Sequence, residues 1–232
     1  MKALIFAAGK GERMRPLTER TPKPLLVAGG KPLIVWHIEK LAALKVHDVV
    51  INTSWLAGQF EPALGDGSRW GLRLHYSYEG PEPLETGGGM LKAMEILGTE
   101  SFLAVNGDIW TDFDFRRLPG DPDGLAHLVL VDNPPQHPRG DFSLDDERRL
   151  HSRGEARLTF AGIGVYRPSL LDDWRSVIGA VAGTELAPPR FKLAPLLYAA
   201  MDRGLIGGEH HRGRWTDVGT PERLAALDAS LS

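Results

Sequence analysis

The chain has 232 residues, of which 42% are hydrophobic and 25% charged, ordinary values for a globular protein able to bury a sizeable core. Its 27 Lys and Arg against 30 Asp and Glu leave a formal net charge of −3, so a general nucleic-acid surface is excluded and no nucleic-acid partner is expected. The absence of cysteine excludes disulfides and thiolate chemistry, and no apolar run approaches the roughly 20 residues of a membrane span; a cytoplasmic protein with no leader and no membrane partner is expected.

The elements follow an alternating rhythm. An apolar run at residues 3–8 reads as a buried strand that empties into Gly9-Lys10-Gly11-Glu12-Arg13-Met14-Arg15-Pro16-Leu17-Thr18 and then Pro22-Lys23-Pro24. Residues 32–44 place Leu33, Ile34, Ile38, Leu41 and Ala42 at helical spacing, Val49-Val50-Ile51 forms a second strand, and residues 72–76 alternate as a third. Residues 89–97 look helical and residues 102–105 form a fourth buried strand. This order predicts an α/β fold with a mostly parallel sheet and helices on both faces. From about residue 134 the pattern loosens: residues 140–144 and 157–166 read as strands of a small antiparallel extension, and residues 179–189 as a Gly- and Pro-rich mobile loop. Two helices close the chain, one near residues 192–203 and one opening at Thr220-Pro221-Glu222, where Thr caps and Pro takes the first helical position. No internal repeat is present, and the whole of 1–232 reads as one domain.

The first loop carries the strongest chemical signal. Gly9 and Gly11 allow a tight turn that exposes backbone N–H groups to an anion, and Lys10, Arg13, Arg15 and Lys23 add four cations nearby. A solvated basic turn after an edge strand would carry the same residues. A polyphosphate cradle is the better reading, because an apolar strand of this kind is buried and the C-terminal ends of such strands are where open α/β sheets place ligands. The GxxxxGK[ST] signature is absent, and a GxGxxG fingerprint would need glycine where Met14 stands, so two common phosphate motifs are excluded.

The segment from Ala7 to Thr18, with Thr21-Pro22-Lys23-Pro24 after it, resembles the signature of sugar-1-phosphate nucleotidylyltransferases, commonly GxGTRxxPLT followed by PK. Glu12 stands where threonine is usual, and Gly-Glu-Arg-Met-Arg-Pro-Leu-Thr is more similar to members that handle N-acetylmuramate 1-phosphate. The resemblance implies a Rossmann-like, mostly parallel mixed sheet sandwiched by helices, with residues 1–133 binding nucleotide and residues 134–232 forming the sugar-binding part. It assigns Ala8, Gly9, Gly11, Glu12, Arg13 and Lys23 to the nucleotide, with Arg13, Arg15 and Lys23 also acting catalytically on the charge of the leaving pyrophosphate.

Two aspartates are candidate metal ligands. Asp108 in Asn106-Gly107-Asp108 follows a buried strand and so emerges on the rim of the glycine loop, and Asp217 lies in Trp215-Thr216-Asp217-Val218-Gly219-Thr220. Each suits a hard cation such as Mg²⁺; a turn cap would equally explain Asp108, and a helix N-terminal charge Asp217. The resemblance implies the metal role for both, since the family's metal aspartates lie in a GD after a strand and in a W-x-D-x-G-T segment, and it makes Asp108 a catalytic residue.

The base pocket is expected in residues 79–89. Glu79 stands near a family Gln that bonds the base, with Thr86 and Gly87 beside the nucleoside and Glu85 replacing a family glycine. A carboxylate accepts from uracil N3–H or from guanine N1–H and N2–H₂, so Glu79 alone leaves the base open; the Pro-Leu-Glu-Thr-Gly-Gly-Gly form resembles the muramate-handling branch and implies UTP. On the sugar side the candidates are Asn106, Asp141, Gly162 and Lys192, although Gly162 also suits a strand bend and Lys192 a solvated helix start. The expected activity is Mg²⁺-dependent uridylyl transfer from UTP to a sugar 1-phosphate, N-acetylmuramate 1-phosphate being favoured, in cell-wall recycling. The alternatives are mannose-1-phosphate guanylyl transfer and glucose-1-phosphate thymidylyl or uridylyl transfer. No general base is needed, because the attacking phosphate is already ionised, and the eight histidines are expected at the surface rather than as ligands.

Overall fold

The computed structural model describes residues 1–231. In chain order the elements are β1 (Lys2–Phe6), β2 (Val27–Ala28), β3 (Lys31–Pro32), α1 (Leu33–Ala43), β4 (Asp48–Thr53), α2 (Phe60–Leu64), β5 (Arg73–Tyr78), α3 (Glu85–Leu97), β6 (Phe102–Asn106), β7 (Ile109–Thr111) and β8 (Ala126–Val131). They continue with β9 (Phe142–Leu144), β10 (Leu150–His151), β11 (Arg157–Tyr166), α4 (Trp174–Ile178), α5 (Ala194–Met201), β12 (Ile206–His211), β13 (Trp215–Asp217) and α6 (Pro221–Leu231).

The central sheet runs β12-β8-β11-β6-β1-β4-β5. All of its neighbours pair in parallel except β11, which is antiparallel to both β6 and β8. Parallel strands are covered on both faces and so read as continuous apolar runs: Ala3, Leu4 and Ile5 of β1 and Val49, Val50 and Ile51 of β4 are all fully buried. One face packs Ile34, Ile38 and Leu41 of α1 against Ala3, Ile5, Val49 and Ile51. The other packs Met90, Ala93 and Leu97 of α3, with Leu196 and Leu197 of α5, against Leu4, Val50 and Ala104. A third cluster joins Met14 of the glycine loop to Trp110, Val218 and Leu227 of α6.

The α/β sandwich is as expected, and the predicted elements form within a few residues of their expected bounds, α1 and α5 being slightly shorter. The antiparallel extension is small: β10 pairs with β9 and β9 with the start of β11, while the rest of β11 is built into the main sheet. The strands β8 and β12 lie outside the elements predicted from the sequence. β12, Ile206-Gly207-Gly208-Glu209-His210-His211, has no strand-like apolar pattern; it forms because it pairs residue for residue with the apolar β8. α3 begins at Glu85, four residues before the expected start, so Gly87, Gly88 and Gly89 are helical despite their poor propensity. Docking explains this, since a Cβ on Gly88 would lie 2.3 Å from the Pro189 carbonyl oxygen.

Candidate active site

Beyond the C-terminal ends of β1, β4 and β6 the chain forms a cleft of about 740 Å³. The loop after β1 makes one wall. Ala7 N–H donates to the Asn52 side-chain oxygen at 2.6 Å, which locks the strand end to β4. Gly11 turns the chain at φ +64°, and a Cβ there would approach Thr18 Cγ2 to 2.8 Å. The buried Thr18 hydroxyl donates to the Gly11 carbonyl, and Trp55 Nε1–H donates to the Thr18 carbonyl, both at 2.8 Å. Met14 is fully buried beneath the turn. The cationic loop is therefore rigidly mounted, with Ala8, Gly9, Lys10, Gly11, Glu12 and Arg13 all lining the cleft. Arg15 lies outside the lining and is exposed.

Lys23 and Asp108 meet at the floor. Lys23 Nζ lies 2.6 Å from Asp108 Oδ2, with the lysine side chain 10% exposed and the carboxylate 40%. β-pairing brings the Asp217 backbone beside Asp108, although Gly219 rather than Asp217 lines the cleft. Asp217 is opposite Ile109 in the antiparallel β7–β13 ribbon, and Val218 N–H donates to the Asp108 carbonyl at 2.8 Å. The Asp217 carboxylate accepts from Gln136 Nε2 at 2.6 Å and from Arg223 Nη1 at 2.8 Å. Two residues 109 positions apart are thus brought to neighbouring segments, Asp108 in the turn before β7 and Asp217 at the end of β13. No cluster of three or more His, Asp or Glu able to hold a metal exists among the described residues. The donor set fits a hard cation that takes one or two protein carboxylates and completes its shell with substrate phosphates and water.

Glu79 is buried in the opposite wall. Its carboxylate accepts from Asn52 Nδ2 at 2.6 Å and from the Leu84 N–H at 2.7 Å, and burial pushes its pKa above the ordinary carboxylate range despite those two donors. Each oxygen keeps acceptor capacity beyond these bonds. Lys10 forms an ion pair with Glu82 at 2.7 Å and holds its carboxyl below the usual range, joining the glycine loop to the loop before α3. Glu85 sits at φ +63°, a left-handed conformation that accounts for a family glycine at this position.

Asn106 lines the cleft at the end of β6. Gly162 stands against it: φ is +75°, the β11–β8 register slips between Phe160 and Gly164, and a Cβ would come within 2.6 Å of Asn106 Nδ2. Gly162 is therefore the bulge that leaves room for the Asn106 side chain.

Four expectations are corrected. Gly87 does not face the cleft: its N–H donates to the Phe191 carbonyl at 2.9 Å, and a Cβ would meet the Phe191 ring at 2.5 Å, so this glycine packs α3 against the segment before α5. Asp141 is absent from the lining; its carboxylate accepts from Phe160 N–H at 2.8 Å and faces His137, tying β9 to β11. Lys192 is exposed outside the cleft, and Arg190, two residues earlier, is the cation that lines it. Arg190 is placed by backbone turns, its N–H donating to the Gly183 carbonyl at 2.8 Å, within a Gly- and Pro-rich loop that carries several internal hydrogen bonds. No local motif announces it, because the placement depends on residues 87 and 191 docking across 104 positions. Finally, not all histidines are at the surface. His37 has no solvent exposure and His211 has 8%. Burial pulls the His37 pKa down to about 4, and the ring is neutral.

A family model described as nucleotidyl transferase matches residues 2–142. An N-acetylmuramate alpha-1-phosphate uridylyltransferase from Neisseria meningitidis is 47% identical over 99% of this chain and 97% of its own length. A second protein of that name, from Caulobacter vibrioides, is 31% identical over 99% of the chain and 96% of its own length. A mannose-1-phosphate guanylyltransferase from Mycobacterium tuberculosis is 30% identical over 99% of the chain, which spans 64% of that protein. Among solved structures, a Bacillus anthracis protein described as a glucose-1-phosphate thymidylyltransferase superposes with a TM-score of 0.82 over the whole chain at 22% identity, a likeness of fold.

Proposed function

Because the chain belongs to the nucleotidyl transferase family, we propose that it transfers the uridylyl group of UTP to N-acetylmuramate 1-phosphate. The observation that carries this reading is the convergence of the glycine loop, Lys23 and Asp108 at one cleft, with the Asp217 ribbon paired directly beside Asp108. The relative with the same printed name matches end to end at 47% identity, whereas the guanylyltransferase is matched over 64% of its length.

In the reaction a phosphate oxygen of the sugar attacks the α-phosphorus in line. A new P–O bond forms, the bond from the α-phosphorus to the bridging oxygen breaks, and pyrophosphate departs with that electron pair. Asp108 and Asp217 would hold Mg²⁺, which when bound would supply charge neutralisation at the α-phosphate and the incoming phosphate. Gly9 and Gly11 admit the triphosphate to the backbone, while Arg13 and Lys23 take up the charge of the leaving group, aided at longer range by Arg15. Lys23 is pre-placed for this by Asp108. Glu79 accepts from the uracil N3–H with the lone pairs its two internal donors leave, and Ala8, Glu12 and Thr86 complete the nucleoside wall. Asn106, given room by Gly162, faces the sugar. The division into a nucleotide part at residues 1–133 and a sugar part at 134–232 follows, with Asp217 crossing back to the first. No helix among the described residues is long and apolar enough to cross a membrane, and we place the reaction in the cytoplasm, where UTP is made.

The test is pyrophosphate release from UTP, GTP, dTTP and CTP, each paired with the 1-phosphates of N-acetylmuramate, N-acetylglucosamine, glucose and mannose. UTP with N-acetylmuramate 1-phosphate should exceed every other pair in kcat/KM by at least about tenfold, the discrimination expected when a polar substrate group has a built partner. A preference for GTP with mannose 1-phosphate would replace this reading with the guanylyl one, and silence across the panel would end the transferase reading.

A further inference from the structure

The ribbon that carries Asp108 and Asp217 is gripped from behind by α1. Trp36 meets Trp110 edge to face, with ring centroids 6.1 Å apart. The His37 Nε2 lies 2.8 Å from the Ile109 carbonyl oxygen, and Lys40 Nζ donates to the Phe113 carbonyl at 2.8 Å. These positions share one helical face. A carbonyl only accepts, so His37 donates from Nε2 and its Nδ1 is the bare nitrogen. That Nδ1 is buried with no hydrogen-bond partner. The ring stacks on Phe115 at an interplanar angle of 3°; an apolar side chain there would spare the unpartnered Nδ1 but would strip the buried Ile109 carbonyl of its donor. What the imidazole supplies at this position is the bond it donates.

That bond falls at a telling place. Ile109 directly follows Asp108, lies opposite Asp217 in the ribbon, and is bracketed by the Val218 N–H bond to the Asp108 carbonyl. We infer that His37 is a positioning residue: by pinning the Ile109 carbonyl it sets the relative placement of the Asp108 and Asp217 carboxylates, and with it the affinity of the site for a divalent cation. The inference rests on the proposed reading of those two aspartates as the metal pair, and it assigns to a core histidine of α1 a role that neither carboxylate can perform alone.

The test compares His37→Gln, which retains an N–H donor, with His37→Met, which has a similar shape and no donor. Binding of Mn²⁺ in the presence of a non-hydrolysable UTP analogue is followed by electron paramagnetic resonance. No sugar phosphate is present, so an error in the proposed sugar leaves this readout intact. His37→Met should weaken Mn²⁺ binding and raise the Mg²⁺ concentration for half-activation about tenfold, the usual scale for an outer partner of a metal site. KM for UTP should stay within about twofold of the parent, and His37→Gln should recover most of the loss. Unchanged Mn²⁺ binding in a folded His37→Met, or equal impairment of the two variants, overturns the inference. If His37→Met fails to fold, the parent protein decides through its His37 Nε2–H proton resonance. A resonance that shifts when Mg²⁺ is added with the analogue upholds the coupling, and one that stays fixed refutes it.

Discussion

At the residue scale the central pair is Lys23 and Asp108, 2.6 Å apart on the cleft floor. Asp108→Asn keeps an oxygen to accept from Lys23 but removes the charge that a hard cation requires. Turnover should fall by at least about 10²–10³-fold, the scale seen when one charge-stabilising group is removed from an active site. Because the carboxylate is 40% exposed, the melting temperature should change little, and a variant with full activity would take Asp108 out of the reaction centre. Asp108, Lys23 and Gly11 are legible from sequence because each sits in a short motif whose backbone demands are local. Arg190 and Lys192 show the limit. Both are cations of one segment, and which of them enters the cleft is decided by where the Phe191 carbonyl docks on the first turn of α3.

At the scale of elements, β11 carries a local irregularity with a specific use. Its register slips around Gly162, where φ +75° and a would-be Cβ contact of 2.6 Å with Asn106 both require glycine. Gly162→Ala should cost about 1–3 kcal/mol of stability through backbone strain, read by urea denaturation. It should also push Asn106 from its place and raise KM for the sugar phosphate about tenfold, with KM for UTP unchanged, since one misdirected polar contact is worth roughly that much. An equal rise for both substrates would assign Asn106 to the nucleotide instead. α3 carries the complementary lesson. Its glycine run reads as a poor helix start, yet the helix begins four residues early because Gly87 and Gly88 allow the segment at residues 189–191 to approach. Propensity is a local quantity, and a close tertiary approach overrides it.

At the scale of the whole molecule, the buried neutral His37 couples folding to pH. Its pKa moves from 6.5 to about 4 on folding, chiefly through burial, so the unfolded chain binds the proton more readily than the folded one. The stabilisation is complete above pH 6.5 and is lost as pH falls through about 4; at roughly 1.4 kcal/mol per pH unit it amounts to about 3 kcal/mol. Glu79 acts in the opposite sense, since its raised pKa means that its ionised form costs stability above the ordinary carboxylate range. Urea melts at pH 7 and pH 4.5 should show a steeper acid loss for the parent than for His37→Gln, and parallel losses would contradict a neutral buried imidazole.

What the sequence by itself determined is the set of features written in short windows: the alternating strands and helices, the glycine loop with its cations, and the two aspartates in recognisable settings. Periodicity and turn chemistry act over a few residues, and so they can be read without knowing what lies opposite. The tertiary structure alone decided that β12 pairs with β8, that the β7–β13 register brings Asp217 to Asp108, that Gly87 packs a helix, and that a histidine of α1 supports the ribbon from behind. Each depends on a contact between residues far apart in the chain, fixed by which surfaces pack together rather than by the residues on either side.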